Sequence, residues 1–274
     1  MDNLFSSLVI YNTKLWSTCN ILPEHSAETK EIASQIIKNK SSYEEVSKVT
    51  GIPFYVIGIL HFLEASFENC WLANGDSLDG RTVNEPAGLI PDVDPPYTFE
   101  QAAIYSLQYD AMDSHQWEDA SIPYVLSVLE QWNGLGVFEH HQPRVSAYLW
   151  AGCNHYADNG YGKYIADNQW DDDAVSEQIG AAAIIKQLVT QNVINIKPSS
   201  GGRAILETKV GTFFKQKPIQ AALLPSNQKV AIAVNQNFQV VAWRLVNDHY
   251  LVTLGQTLNG FNTWWVYREH CEIT

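Results

Sequence analysis

Residues 53–67, PFYVIGILHFLEASF, are apolar nearly all round a helical wheel, and a helix without a polar face has to be enclosed on most of its sides. The surrounding chain must therefore build a domain with this segment at its centre. Its opening proline suits a first helical turn, where the missing N–H costs nothing. Two amphipathic stretches precede it: SAETKEIASQIIKNK and SSYEEVSKVTG each open on a serine cap, and the second closes on Gly51. Helical periodicity returns in TFEQAAIYSLQYDAM, SIPYVLSVLEQWNG and DDDAVSEQIGAAAIIKQLVTQN, with the acids of the last expected at the positive end of its dipole. Between Glu68 and Thr98 the Gly, Asn, Asp and Pro content predicts a long ordered excursion or a short hairpin.

The texture then changes. NIKPSSGGR has the composition of a linker, and beyond it short β-branched and aromatic runs broken by Asn-Asp and Asn-Gly turns predict a small all-β barrel. The expected class is α+β in two domains: mainly helical over residues 1–196, a linker over 197–204, and the barrel over 205–274.

Charge divides the same way. There are 10 basic and 26 acidic residues before Gly202, and 7 and 4 after it, so the two parts carry -16 and +3. The total of -13 argues against nucleic acid and against an anionic membrane as partners, since both require a cationic face. No run reaches transmembrane length, so membrane insertion is not expected, and MDNLFSSLVIYNTKLW lacks the features of a secretory signal. The chain is expected to be made as a soluble cytoplasmic protein. Cys19, Cys70, Cys153 and Cys271 lack the close spacing of a zinc or redox motif and read as free thiols, with two disulfides as the alternative. No metal or other cofactor is expected; His155 near Cys153 does not make a metal site.

The central helix ends on an acid. Glu64 falls in its last turn, close to unpaired carbonyls and flanked by Leu60, Leu63 and Phe67, and both surroundings disfavour an ionised carboxyl. A carboxyl kept protonated can deliver a proton to a leaving oxygen, as a glycosidase general acid must. A solvent-facing acid at a frayed helix end is the alternative. Asp76, in NGDSL, and Thr82, in GRTV, follow at a distance that allows them to hold a water on the opposite face of a sugar; Asp79 and Glu68 are the alternative second carboxylates. In QWNGLGV, Trp132 offers a flat apolar face, Asn133 an amide, and Gly134 with Gly136 close backbone approach, although a helix terminus closed by Gly134 would look the same. Tyr148, Trp150 and Tyr164 are further aromatic candidates for a groove, or else core residues. His61, one turn before Glu64, either tunes that acid or is a satisfied core histidine.

The order Glu64, Asp76, Thr82 resembles the glutamate, aspartate, threonine triad of phage-type lysozymes. HFLEASF, NGDSLDGRTV, YTFEQAAIYSL, LEQWNGLGV, AYLWAGCNHY and VSEQIGAAAIIKQL extend the likeness to a bacterial lysozyme-like family over most of residues 25–190. The resemblance implies a helical lysozyme fold that cuts the β-1,4 bond between the amino sugars of peptidoglycan. Glu64 would be the general acid, Asp76 the stabilising or base carboxylate and Thr82 the hydroxyl that holds water. Trp132, Asn133, Gly134, Tyr148 and Tyr164 would line the glycan groove. Residues 205–274 are similar to bacterial SH3-like domains, which implies binding of the peptidoglycan peptide stem through aromatics such as Trp243, Trp264, Trp265 and Tyr267. The site of action would then be the cell wall or periplasm. A non-catalytic wall-binding subunit of a phage-like assembly and a chitinase-like hydrolase are the competing readings.

Overall fold

The computed structural model describes residues 2–70, 72, 75–80, 90, 93–115, 117–118, 120–194, 204–246 and 248–273. Helices occupy the N-terminal part and an antiparallel sheet the C-terminal part. The chain separates into two compact units: residues 18–197, and residues 198–274 together with the first seventeen. The opening helix α1 (Asp2–Ser17) thus groups with the sheet, where the sequence reading placed it in the helical domain.

In the helical unit, α2 (Ser26–Lys38) and α3 (Lys40–Thr50) are separated only by Asn39. Neither uses a serine cap. His25 and Asn39 stand at the cap positions without side-chain capping bonds; Ser26 is already helical, and the Ser42 hydroxyl donates to Glu100 instead. Gly51 does end α3, in the left-handed conformation that favours glycine. Next comes α4 (Phe54–Ala65), in which Val56, Ile57, Ile59 and Leu60 are fully buried and Leu63 nearly so. The helices α2, α3 and α10 (Ala181–Thr190) pack against it. Among the described residues no single helix is long and apolar enough to cross a membrane; α3 and α4 would pass together but are bent by 112°.

Helix α5 (Phe99–Tyr109) starts on a capping box between Thr98 and Gln101, and α6 (Ile122–Asn133) on Ser121. Short helices α7 (Gly136–His140), α8 (Ala147–Trp150) and α9 (Asn154–Asp158) follow. The acid-rich segment is not a helix start. It forms a hairpin of β1 (Lys163–Ala166) and β2 (Gln169–Asp171), turning through a left-handed Asn168, and α10 begins only after Gly180. There the N-terminus of α10 abuts the backbone of Leu149, so close that a Cβ on Gly180 would lie 2.6 Å from the Leu149 carbonyl.

The C-terminal unit is a seven-stranded antiparallel sheet in the order β5-β4-β8-β7-β6-β3-β9. Its strands are β3 (Ala204–Thr208), β4 (Thr212–Lys215), β5 (Lys229–Ile232), β6 (Asn237–Val246), β7 (His249–Leu258), β8 (Phe261–Tyr267) and β9 (Cys271–Ile273). Every strand contributes to one buried cluster that includes Leu206, Phe214, Val240, Val252, Trp264 and Cys271, so the sheet has to curl round its inner face. Of the aromatics named above, Trp264 is core, Trp265 and Tyr267 are half-buried, and Trp243 is exposed with its ring edge-on to Tyr250.

Gly58 shows how tightly α4 is enclosed. A Cβ there would lie 2.8 Å from Ile36 Cγ2 and 2.9 Å from Tyr43 Cε2, both on fully buried side chains. Glycine to alanine in a helix ordinarily gains about 1 kcal/mol, whereas overpacking a closed core costs roughly 1–3 kcal/mol. With contacts under 3 Å the clash should win: Gly58→Ala is expected to lower the unfolding free energy, by up to about 2 kcal/mol, in urea denaturation.

Candidate active site

The end of α4 is built with care for its carbonyls. Ser66 and Phe67 both take positive φ, which folds the chain back so that Ser66 N–H donates to Phe62 O, Phe67 N–H to His61 O and Glu68 N–H to Ala65 O. From the segment before α10, Gln178 Nε2 donates to Leu63 O at 2.9 Å. The bare carbonyls expected around Glu64 are therefore largely satisfied, because the chain reverses on itself at the end of α4. His61 holds this reversal. Its Nε2 must be the protonated nitrogen, since it meets the carbonyl of Glu68 at 2.7 Å, and Nδ1 then accepts from Tyr43 O–H at 2.9 Å. Burial lowers its pKa, and its ring stacks on Phe99. With both nitrogens committed it is a core histidine and makes no bond to Glu64.

Glu64 itself is exposed, not closed in by its apolar neighbours. Two donors from elsewhere in the unit converge on a single oxygen. Trp132 Nε1, from the last turn of α6, lies 3.0 Å from Glu64 Oε1, and Tyr148 O–H, from α8, lies 2.6 Å from the same atom. These occupy Oε1 as an acceptor and leave Oε2, which makes no hydrogen bond to a described residue, as the atom able to carry a proton. Burial, then the adjacent Glu64 carboxyl, then Glu130 raise the Tyr148 phenol well above its usual range, so it remains a donor.

Glu130 is the residue that sequence reasoning missed. It sits on α6 two positions before Trp132, is 3% exposed, and burial pushes its pKa up to about 8 against a small opposing effect of Ser146. Its signal was legible: an acid on the apolar stripe that runs through Ile122, Val125, Leu126 and Leu129. Two carboxyls thus act on Tyr148, one exposed and hydrogen-bonded, the other buried and protonated at neutral pH.

The remaining predicted residues are spread around this centre. Asn133 ends α6 and is exposed; Gly134 caps it with φ +99°. Gly136 approaches Tyr164, whose hydroxyl would lie 2.9 Å from a Cβ at that position. Tyr164 meets His141 Nε2 at 3.0 Å, and His141 stacks on Trp170 with ring centres 3.9 Å apart, giving a partly exposed aromatic cluster on the hairpin. Trp150 is 1% exposed and belongs to the core. Asp76 lies half-buried in the loop closed by the bridge between Cys70 and Ser77. Asp79 is tied to Ser77, and Glu68 is exposed. Thr82 lies outside the described residues.

No family model, curated protein or solved structure matches the chain. Among the described residues, no group of three His, Cys, Asp or Glu side chains is placed to hold a metal ion. A polar cleft of about 480 Å³ is lined by residues including Ser42, His61, Phe67 and Glu100; neither Glu64 nor the residues expected to act on substrate with it line this cleft.

Glu130 gives a direct test of these electrostatics. Its carboxyl stays protonated in the folded protein up to about pH 8, while in the unfolded chain it ionises in the ordinary range. As pH rises between those limits, folding should lose about 1.4 kcal/mol per pH unit from this group, and the loss should level off above the folded pKa. Glu130→Gln, which cannot ionise, is expected to remove that slope when urea unfolding is followed across the same pH range.

Proposed function

We propose that the protein is a peptidoglycan-cleaving glycoside hydrolase, a muramidase, with Glu64 as its general acid. The observation that carries this reading is the convergence of Trp132 and Tyr148 on Glu64 Oε1. Three residues singled out in the sequence, one for acid chemistry and two for sugar contact, come from three different helices to one exposed point. Support also comes from the resemblance to phage-type lysozymes noted in the sequence.

In this reading a glycan strand lies along Trp132 and Asn133 towards the Tyr164, His141 and Trp170 cluster. Glu64 Oε2 passes its proton to the leaving glycosidic oxygen while the two donors on Oε1 keep the carboxyl from rotating. They also stabilise the carboxylate that results, which is the form a transition state of this kind develops. Asp76 supplies the second carboxylate, either activating water or shielding the positive sugar ring, and Thr82 would hold that water. The chemistry uses only these side chains.

The sheet unit, read as an SH3-like domain, serves as the wall-binding module. Its positive excess suits an anionic polymer, but part of it is engaged internally. Lys209 pairs with Glu207 and Glu272, and Arg268 with Glu269. Lys215 is buried against Ile219 O and His249 Nε2. Trp265 and Tyr267, which share the outer face of β8, therefore stand as the better binding surface, and Trp243 lies on the opposite face with Val252 and Trp264.

Purified protein incubated with isolated sacculi tests the reading. Soluble muropeptides should appear, and mass spectrometry of their ends should show reducing sugars if water is the acceptor. Glu64→Gln is expected to lower the rate about 10³-fold while still sedimenting with sacculi; a fully active variant would overturn the assignment. Tyr148→Phe, which removes one of two hydrogen bonds, should cost about tenfold. Sedimentation without release by the wild type would favour a binding subunit, and turnover of chitin in place of sacculi a chitinase.

A further inference from the structure

Cys19 and Cys153 are 134 residues apart in sequence, yet their sulfurs lie 3.3 Å apart inside the helical unit, at 1% and 0% exposure. A short clasp brings them together. Ile21 forms a β-bridge with Cys153, Leu22 N–H donates to Gly152 O at 2.9 Å, Asn154 N–H donates to Asn20 O at 3.0 Å, and Asn20 N–H donates to Asn154 Oδ1 at 2.8 Å. Beside it Thr18 Oγ1 meets His155 Nε2 at 3.2 Å. That contact commits the nearest imidazole, and no third ligand gathers among the described residues to make the pair a metal site. Cys70 lies in the loop after α4 and Cys271 in the other compact unit.

We propose that Cys19 and Cys153 are a site of covalent oxidation: in the presence of a small-molecule disulfide they join into a disulfide that staples the start of the helical unit to the α8–α9 corner. The sulfurs need to close by little more than about 1 Å to reach bonding distance. Either cysteine can supply the attacking thiolate, because the exchange does not take place in the closed core.

The thiolate of one cysteine attacks one sulfur of the external disulfide and expels the other half as a thiolate. The second cysteine, as its thiolate, then attacks the sulfur of the first and expels the second half. Two protein thiols are oxidised, one external disulfide is reduced to two thiols, and the two protons released by the cysteines end on those products. Because both thiols are buried in the folded state, the exchange takes place during folding or while the clasp is open. This inference does not rest on the hydrolase reading.

The test is to refold the full chain from denaturant in a reduced and oxidised glutathione mixture, and in excess reductant as control. Thiols are then counted under denaturing conditions, and peptides mapped without reduction. Two thiols should remain after oxidative refolding against four in the control, with Cys19 and Cys153 in one linked peptide. The oxidised protein should melt on the order of 10 °C higher. Four remaining thiols, or a link that falls on Cys70 or Cys271, would overturn the proposal; neither readout depends on a variant that has to fold.

Discussion

A helix with no solvent face sets the terms for the helical unit. Burial of α4 on all sides forces α2, α3 and α10 into place around it, and through α10 it reaches α6 and α8. What such a helix cannot hold inside without a partner is a charged side chain. Glu64 is accordingly placed where the helix runs out, and the chain reverses there through two residues in the left-handed region. Position and exposure of the carboxyl are thus consequences of packing before they are anything to do with chemistry.

What makes the place distinctive is the asymmetry between the two oxygens of that carboxyl. One is held by an indole and a phenol delivered by separate helices; the other is open. Behind the phenol stands a second acid, Glu130, which burial holds neutral.

Much of this was legible in the residues. Uniform apolarity marked α4, Gly51 and Gly134 marked helix ends, the helical period of TFEQAAIYSLQYDAM marked α5, and the change of texture past the Pro, Ser and Gly-rich segment marked the sheet. What failed did so for tertiary reasons. Acids of the segment around Trp170 looked like a helix start, but the Asn168 turn and ring packing on His141 draw them into a hairpin. The serines expected as caps were displaced by an almost continuous α2–α3 junction, and α1 joined a unit whose remaining residues lie nearly two hundred positions later. No local pattern could indicate that Cys19 would meet Cys153. Glu130 is different, because a charge on an apolar stripe is visible in one dimension and needs only to be taken seriously.

The two outer strands of the sheet, β5 and β9, are four and three residues long. Unpaired strand margins are where β proteins stick to copies of themselves, through a ladder that gains one rung per residue or so. Margins this brief offer an incoming chain only a few rungs, too little to repay its ordering. The outermost strands are therefore poor templates for a stranger, while the longest strands, β6 and β7, lie inside the strand order.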